Sequence, residues 1–157
     1  MKIIVAGSRS ITDYELVKRV IFEVLAKYNI MSLQLVEIVS GHAPGVDLLG
    51  ERWADENQVK KTLFPATWDD LITLPVKIKT NKFGKKYNAL AGFNRNGKMA
   101  DYADILIAFW DGKSPGTKDM LNCMVDRNKT FWLYDTSINK LNVWYEGKER
   151  WKTSENS

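Results

Sequence analysis

The sequence predicts a single α/β domain built on a mostly parallel sheet of about five strands, with a further strand possible at the C-terminal edge. Two observations predict this class. Short apolar runs alternate with amphipathic stretches of helical spacing, which is the pattern of successive βαβ units. The 157 residues are enough to bury a core in one domain. We expect a core over about 1–135, an insertion over about 70–88 and a C-terminal extension over about 136–157.

The first half of the chain contains three predicted strands and two predicted helices. Thr12-Asp13-Tyr14-Glu15 has the form of a capping box, with Thr12 as the N-cap and Glu15 reaching back to it. Pro44 suits the first turn of the second helix, where an N–H group would lack an intrahelical partner. The predicted strands are 2–6, 35–39 and 60–64, and the helices start at Thr12 and cover about 44–57.

The second half opens with a segment of weak periodicity, 68–88, which we predict to leave the core as a β-hairpin. The run 104–110 is the most apolar in the chain and predicts the central strand. Ser114 suits the N-cap of the next helix and Pro115 its first position. The predicted elements are helices 90–103 and 114–128 and strands 104–110, 129–134 and 141–146.

Composition favours an ordinary globular protein of a reducing compartment. The single cysteine, Cys123, excludes an internal disulfide and is predicted to be a small core residue. No apolar run approaches the roughly 20 residues of a membrane span, and the N-terminal KIIVAG is predicted to be a strand and not a signal peptide. No His, Cys or carboxylate grouping has metal-ligand spacing. We expect a cytoplasmic protein with no metal, no cofactor and no membrane contact.

The net charge of +4 is concentrated in the predicted insertion, and the remainder of the chain is close to neutral. Three roles for this segment are open: a solvated loop, a flap over an anionic ligand, or a contact with nucleic acid. The lysines concerned are Lys77, Lys79, Lys82, Lys85 and Lys86.

Three Gly- or Ser-rich turns follow predicted strands, so they would meet at the carboxyl edge of the sheet. The N–H groups at a helix N-terminus lack intrahelical partners and carry a positive dipole, so such an edge holds phosphorylated ligands. Arg9 adds a guanidinium that can grip phosphate with two hydrogen bonds. The turns are Gly7–Arg9, Ser40–Asp47 and Gly112–Thr117.

The second of these turns has two open interpretations. His42 and Ala43 are poor N-caps, which leaves the helix donors either to a ligand or to water and Ser40. A lone histidine such as His42 is more often incidental than catalytic. Neither a Gly-x-Gly-x-x-Gly fingerprint nor a P-loop motif is present, so a standard dehydrogenase or ATPase is not expected.

The residues around the central strand offer further ligand contacts. Arg95, Asn96 and Met99 lie close together on the helix that precedes it. Asp111 ends the strand and is suited to hydrogen-bond a ribose or orient Arg95, although an Asp before a glycine is also a routine turn residue. Trp110 is either a core residue or a stacking partner for a base. Four tryptophans in apolar contexts are predicted in or beside the core: Trp53, Trp68, Trp110 and Trp132.

Six motifs follow one another between residues 1 and 134. They are Gly7-Ser8-Arg9, Ser-Gly-x-Ala-x-Gly-x-Asp at 40–47, Glu51-Arg52-Trp53-Ala54, Phe64-Pro65-Ala66-Thr67-Trp68, Ala91-Gly92 with Arg95, Asn96 and Met99, and Gly112–Thr117. This ordered set resembles the YspA-like branch of the SLOG superfamily, which also includes the Lonely-guy phosphoribohydrolases and DprA. The resemblance implies a Rossmann-like three-layer fold, a nucleotide-derived ligand such as ADP-ribose, NAD or AMP, and a bacterial or phage origin.

The resemblance to Lonely-guy enzymes is incomplete. Those enzymes carry Arg-Lys-x-x-Met before the central strand and Gly-Gly-x-Gly-Thr-x-x-Glu after it. Arg95 and Met99 match the first motif and Gly116-Thr117 matches the second, but Met120 stands at the position of the catalytic glutamate, with Asp119 beside it. A thioether cannot exchange a proton, which disfavours catalysis by that route.

Binding of a nucleotide or nucleotide-sugar derivative at the C-terminal edge of the sheet, by a sensor or sequestering protein, is the leading hypothesis. One alternative is hydrolysis of an N-glycosidic or phosphoribosyl bond, with Arg95, Asp111 and Asp119 as catalytic residues. Another is single-stranded nucleic-acid binding in the manner of DprA. The resemblance also implies a homo-oligomer. The predicted ligand-binding residues are Gly7, Ser8, Arg9, Ser40, Gly41, His42, Gly45, Asp47, Arg95, Asn96, Met99, Trp110, Asp111, Gly112, Ser114, Gly116 and Thr117.

Overall fold

A computed structural model describes residues 1–73 and 75–146; the rest of the predicted C-terminal extension, 147–157, lies outside the described residues. Within these ranges, none of the helices has the length and apolar character needed to cross a membrane. The described helices are α1 (Tyr14–Lys27), α2 (Val46–Glu56), α3 (Ala91–Tyr102), α4 (Pro115–Asp126) and a short 3₁₀ helix, Leu33–Leu35. The described strands are β1 (Lys2–Gly7), β2 (Glu37–Ser40), β3 (Lys60–Leu63), β4 (Ile78–Thr80), β5 (Lys86–Asn88), β6 (Ile105–Trp110), β7 (Thr130–Asp135) and β8 (Lys140–Trp144).

Six of these strands form one sheet in the order β3-β2-β1-β6-β7-β8, with β3 and β8 at its edges. The pairs within it are parallel, apart from the antiparallel pair of β7 and β8 at the predicted C-terminal edge. The strand order reverses between β1 and β6, which places a crevice at the carboxyl ends of these two neighbours. The sequence-based prediction of a mostly parallel α/β fold is confirmed.

Helices cover both faces of the sheet, which gives the Rossmann-like three-layer fold. On one face α1 and α2 pack Val20 and Trp53 into a cluster with Ile3 of β1. On the other face α3 and α4 form a second cluster, in which Met99 packs with Ile4. Ile3 and Ile4 enter different clusters because successive side chains of a strand point to opposite faces. The strand β6 is buried along its whole length, as predicted for the centre of the sheet.

The predicted capping box at the start of α1 is wrong by one residue. The helix begins at Tyr14, and its N-cap is Asp13, whose side chain accepts a hydrogen bond from the N–H of Leu16 at 3.2 Å. A carboxylate serves this position as well as a hydroxyl does and also interacts favourably with the positive end of the helix dipole. Asp13 therefore takes the role that the sequence pattern gives to Thr12.

Pro44 lies before the start of α2, contrary to the prediction that it occupies the first turn. The helix begins at Val46 after the N-cap Gly45, which has a φ of 88° and so interrupts the helical path. A Cβ on Gly45 would also lie 2.7 Å from the Cα of Arg9. Glycine is needed here because the loop passes close to the turn after β1. The helix has no side-chain cap, as predicted.

The predicted hairpin is confirmed as an antiparallel pair of β4 and β5, separate from the main sheet. Its base is held by Asn88, which is fully buried. The Asn88 side chain accepts hydrogen bonds from the N–H groups of Lys77 and Leu90 and donates to the carbonyl oxygen of Pro75 at 3.2 Å. Its main-chain N–H donates to the carbonyl oxygen of Trp68 at 2.7 Å. These hydrogen bonds join the two ends of the segment 68–88 next to the start of α3.

The prediction of buried tryptophans holds for three of the four positions. Trp53, Trp110 and Trp132 are buried. Trp68 is instead 41% exposed, so its prediction as a core residue is wrong. Trp68 follows β3 at the point where the chain leaves the sheet, and it belongs to neither core cluster.

Candidate ligand-binding site

A cleft of about 510 Å³ opens where the strand order reverses between β1 and β6. Its volume is typical of sites for small molecules. The cleft is formed by the turn after β1, the loop from β6 into α4, the first turns of α3 and parts of the β2–α2 and β3–α3 connections. The predicted ligand-binding residues that line it are Gly7, Ser8, Arg9, Asp47, Arg95, Asn96, Met99, Asp111, Ser114, Gly116 and Thr117. Those that lie outside the lining are Ser40, Gly41, His42, Gly45, Trp110 and Gly112.

Asp111 organises the loop between β6 and α4. One of its carboxylate oxygens accepts hydrogen bonds from the N–H groups of Lys113 and Ser114, each at 2.8 Å, and the other accepts from the Ser114 hydroxyl at 3.1 Å. Its own N–H donates to the Ser8 hydroxyl, which joins this loop to the turn after β1. Burial opposes ionisation, but the hydrogen bonds from Ser114 and Lys113 outweigh it, and the pKa of Asp111 lies below its usual value. These contacts favour a carboxylate that shapes the loop over a group that exchanges protons.

The helix α4 begins at the cleft. Ser114 is its N-cap and Pro115 occupies the first helical position, as predicted. The Ser114 hydroxyl makes no capping hydrogen bond to the helix and is engaged with Asp111 instead. Gly116 and Thr117, in the first turn, line the cleft. The positive end of the α4 dipole therefore faces this space.

The loop after β2 is held from within by Glu51 of α2. The buried Ser40 hydroxyl donates to a carboxylate oxygen of Glu51 at 2.7 Å, and His42 Nδ1 lies 2.9 Å from the same oxygen. The N–H of His42 donates to the Ser40 hydroxyl. These contacts engage Ser40 and His42 inside the loop. Sequence reasoning missed Glu51, although its position four residues after Asp47 on one helix face is a signal for a shared site.

Arg95 of α3 connects the cleft to the loop after β2. Its Nη1 donates to the carbonyl oxygen of Gly41 at 2.6 Å, and its Nε donates to the side chain of Asn96 at 3.1 Å. Burial lowers the pKa of Arg95 and the charge of Asp47 opposes this shift. A guanidinium remains charged under these conditions. Arg9, exposed on the other side of the turn, adds a second positive charge to the lining.

Asp47, at the start of α2, is a carboxyl of the cleft lining whose pKa is raised towards neutrality. It lines the cleft and is only 5% exposed. Burial raises its pKa to about 6, against the opposing effects of the Arg95 charge and of N–H donors from Ala43 and Gly7. Sequence reasoning selected Asp47 as a ligand contact only. Its geometry also suits it to exchange a proton in the cleft.

Asn96, in the lining of the cleft, joins α3 to α4. Its amide nitrogen donates to Asp119 at 3.0 Å and to the carbonyl oxygen of Gly116 at 3.3 Å. Asp119 is half-buried and lies outside the cleft lining, whereas the neighbouring Met120 is buried and belongs to it. Burial raises the pKa of Asp119 and that of Cys123, the latter to about 11. Cys123 packs against the core as predicted, but it is only partly buried.

The aromatic wall of the cleft comes from residues that the sequence analysis did not select. Trp68 and Phe93 both line the cleft and are 41% and 44% exposed. Trp110 is 4% exposed, lies outside the lining and donates from its indole nitrogen to the carbonyl oxygen of Ser114 at 3.0 Å. The sequence signal that could have identified Trp68 as a lining residue is its position in a segment without clear periodicity.

The lining thus combines positive charge, one buried carboxyl and a flat apolar surface. This combination suits an anion joined to an aromatic or apolar group. Within residues 1–73 and 75–146, no three His, Cys, Asp or Glu side chains are grouped so as to hold a metal ion.

Comparison with known families identifies the N-terminal half of this arrangement. Residues 1–70 match the family described as YspA, cpYpsA-related SLOG family. Residues 1–70 are thus similar to the YspA-like SLOG family. The matched region holds β1, β2, β3, the turn that carries Ser8 and Arg9, and the start of α2 with Asp47. No curated protein and no solved structure matches the chain.

Proposed function

We propose that the protein binds a nucleotide or nucleotide-sugar derivative, of the ADP-ribose, NAD or AMP type, in this cleft, as a cytoplasmic sensor or sequestering protein. The observation that carries the proposal is the meeting of the α4 N-terminus with two arginines, Arg9 and Arg95, around one space of suitable size. The similarity of residues 1–70 to the YspA-like SLOG family supports a nucleotide-related role. Self-association into a homo-oligomer is part of the proposal and is tested by light scattering.

The phosphate of the ligand is placed at the first turn of α4 in this proposal. The N–H groups of Gly116 and Thr117 act as donors, and the helix dipole adds a favourable field. Gly116 has no side chain, and a Cβ at this position would meet no atom within 4 Å, so the approach to the turn is open. Arg9, exposed at the rim, supplies a charge-assisted hydrogen bond.

Thermal unfolding with added AMP, ADP-ribose or NAD tests the proposal. A ligand present at 100 times its Kd adds about 2.7 kcal/mol to the free energy of unfolding, which raises Tm. We expect Arg9→Ala to weaken this stabilisation. The matched control is Arg19→Ala, an exposed arginine of α1 outside the cleft lining. Absence of stabilisation by all three compounds would contradict nucleotide binding.

Hydrolysis of an N-glycosidic bond is a second candidate, and Asp47 is the observation that favours it. Its carboxyl is buried in the cleft, beside the positive charge of Arg95, with a pKa of about 6. Such a group can donate a proton to a leaving base or accept one from water. Asp111 is engaged in its loop and Asp119 lies outside the lining, which makes Asp47 the better candidate. Chromatography of AMP and ADP-ribose after incubation with wild type and Asp47→Asn decides this.

Single-stranded nucleic-acid binding remains a third candidate because of the hairpin. Its basic side chains are exposed to solvent. One of them, Lys85, pairs with Asp69 at 3.2 Å, which reduces the charge available there. A lysine-rich surface of this kind binds the phosphate backbone without reading sequence.

A further inference from the structure

We infer that Trp68 stacks on the aromatic base of the ligand, so that the cleft selects nucleotides over sugar phosphates that lack a base. The inference rests on the proposed function and specifies its ligand class. The stacking surface is provided by the connection from β3 to β4, which carries Trp68, and by the start of α3, which carries Phe93.

The first support is the exposure of Trp68 within a concave site. An indole that is 41% exposed leaves much apolar surface in water, and here that surface borders the cleft. Phe93, 44% exposed, lies in the same lining. Exposed aromatic side chains gathered in a cleft mark a binding surface for an apolar or aromatic group.

The second support is that the ring of Trp68 is fixed in position. The Trp68 carbonyl accepts a hydrogen bond from the buried Asn88, and its ring meets Tyr87 edge-on, with the ring centres 6.4 Å apart. A Cβ on Gly92 would lie 3.5 Å from the Trp68 ring. This is an ordinary van der Waals distance, so the indole lies beside the first turn of α3. A ring held in this way loses little conformational entropy when a base stacks on it.

The third support is the division of the cleft into polar and apolar parts. The turn after β1 and the loop that contains Asp111 and Ser114 contribute polar lining on one side. The exposed aromatic lining comes from Trp68 and Phe93, which lie on the β3–α3 connection and in the first turn of α3. A nucleotide has the same division, since its phosphate is anionic and its base is flat and aromatic. Stacking on an aromatic side chain accepts any base, because each presents a π-face.

Calorimetric titration with AMP and with ribose 5-phosphate tests the inference on wild type and three variants. We expect Trp68→Ala to raise the Kd for AMP about tenfold and to leave the Kd for ribose 5-phosphate within about twofold of wild type. Trp68→Phe, which keeps a ring, is expected to recover most of the affinity for AMP. The matched control is Phe83→Ala, an aromatic residue at the hairpin tip that is 82% exposed and outside the cleft lining.

Intrinsic fluorescence gives a second measurement that a purely structural role of Trp68 would not affect. AMP is expected to quench part of the tryptophan emission of wild type, and this quenching is lost in Trp68→Phe. Equal loss of both ligands in Trp68→Ala, or unchanged AMP binding, would overturn the inference while nucleotide binding stands. If wild type binds neither AMP nor ribose 5-phosphate, the inference is refuted, and the proposed function falls with it only if ADP-ribose and NAD also fail to bind. If Trp68→Ala binds AMP and ribose 5-phosphate as tightly as wild type does, the inference is refuted and the proposed function is not.

Discussion

The guanidinium of Arg95 donates a hydrogen bond to the carbonyl oxygen of Gly41 at 2.6 Å and thereby ties α3 to the loop after β2. A Cβ on Gly41 would lie 2.8 Å from Cζ of Arg95 and 2.9 Å from a carboxylate oxygen of Asp47. Both charged side chains can therefore lie against residue 41 because it has no side chain. Arg95 has a structural role in the cleft besides its charge.

Gly41→Ala is predicted to lower stability and weaken AMP binding together. The added methyl group displaces Arg95 or Asp47, and such overpacking costs about 1–3 kcal/mol. Urea unfolding and AMP titration measure the two effects. The control is Gly97→Ala in α3, where the nearest atom, at 3.4 Å, belongs to the side-chain end of Arg127 and the exchange improves helix propensity. A Gly41→Ala protein as stable as wild type would show that Arg95 and Asp47 are not constrained there.

Asp47 predicts a pH dependence of stability with a defined sign. Its pKa in the folded protein, about 6, lies above the ordinary 3.8, so between these values the folded state binds more protons than the unfolded state. The contribution of Asp47 to the free energy of unfolding therefore falls as the pH rises from about 4 to about 6. Asp47→Asn removes the titration, so we expect the variant to gain stability relative to wild type between pH 4 and about 7. Urea unfolding across this range measures the difference.

The control for this experiment is Asp126→Asn, which removes an exposed carboxylate from α4. An equal gain with rising pH in Asp126→Asn and Asp47→Asn would show that removal of any carboxylate produces the effect. A difference between Asp47→Asn and wild type that does not vary with pH would contradict the assignment of the raised pKa to Asp47.

Asp111→Ala is predicted to weaken AMP binding by loosening the loop before α4. The substitution removes the acceptor for two N–H groups and one hydroxyl, at a cost of about 1–3 kcal/mol in stability. Asp111→Asn keeps one acceptor oxygen and is expected to retain part of the binding. Asp135→Ala is the matched control, because Asp135 accepts from the N–H of Ser137 in a similar turn outside the cleft lining. Equal effects of the two alanine variants on AMP affinity would argue against a role of Asp111 in the site.

Neutralising the hairpin tests the third candidate function. If the hairpin binds single-stranded nucleic acid, replacing Lys79, Lys82 and Lys86 with glutamine reduces the slope of log K against log salt by about 2. Fluorescence anisotropy with a labelled oligothymidine at several salt concentrations measures this slope. The control replaces Lys18, Arg19 and Lys27 of α1 with glutamine. An oligonucleotide that fails to bind wild type at low salt excludes this function.

The architecture could be predicted from the sequence because it follows from hydrophobic periodicity. The run before Asp111 is apolar at every position, and its strand is buried on both faces. The residues that mark the start of a helix predicted the helix boundaries less accurately. Thr12 and Asp13 are both acceptable N-caps, and the choice depends on where the chain enters the helix. Pro44 suits a helix start by its φ, but the positive φ of Gly45 is set by packing against Arg9, which sequence does not show.

The candidate site was predictable at the level of turns and less so at the level of side chains. Strand topology alone brings Ser8, Arg9 and Asp111 to one crevice. Whether a tryptophan faces the core or the cleft depends on contacts between distant segments. An aspartate follows both Trp68 and Trp110, but Trp68 is held by the hairpin and Trp110 is covered by the turn at Ser114.

The edge strand β3 has a consequence for self-association. Lys60 and Lys61, at the start of this strand, are exposed and form ion pairs with Glu37 and Asp55 at 3.3 Å and 2.9 Å. A second chain that extended the sheet at this edge would have to desolvate these charges, and lysines on an edge strand act against such pairing. Aggregation by edge-to-edge addition is therefore disfavoured here. An assembly of this protein is thus not expected to extend the sheet at β3.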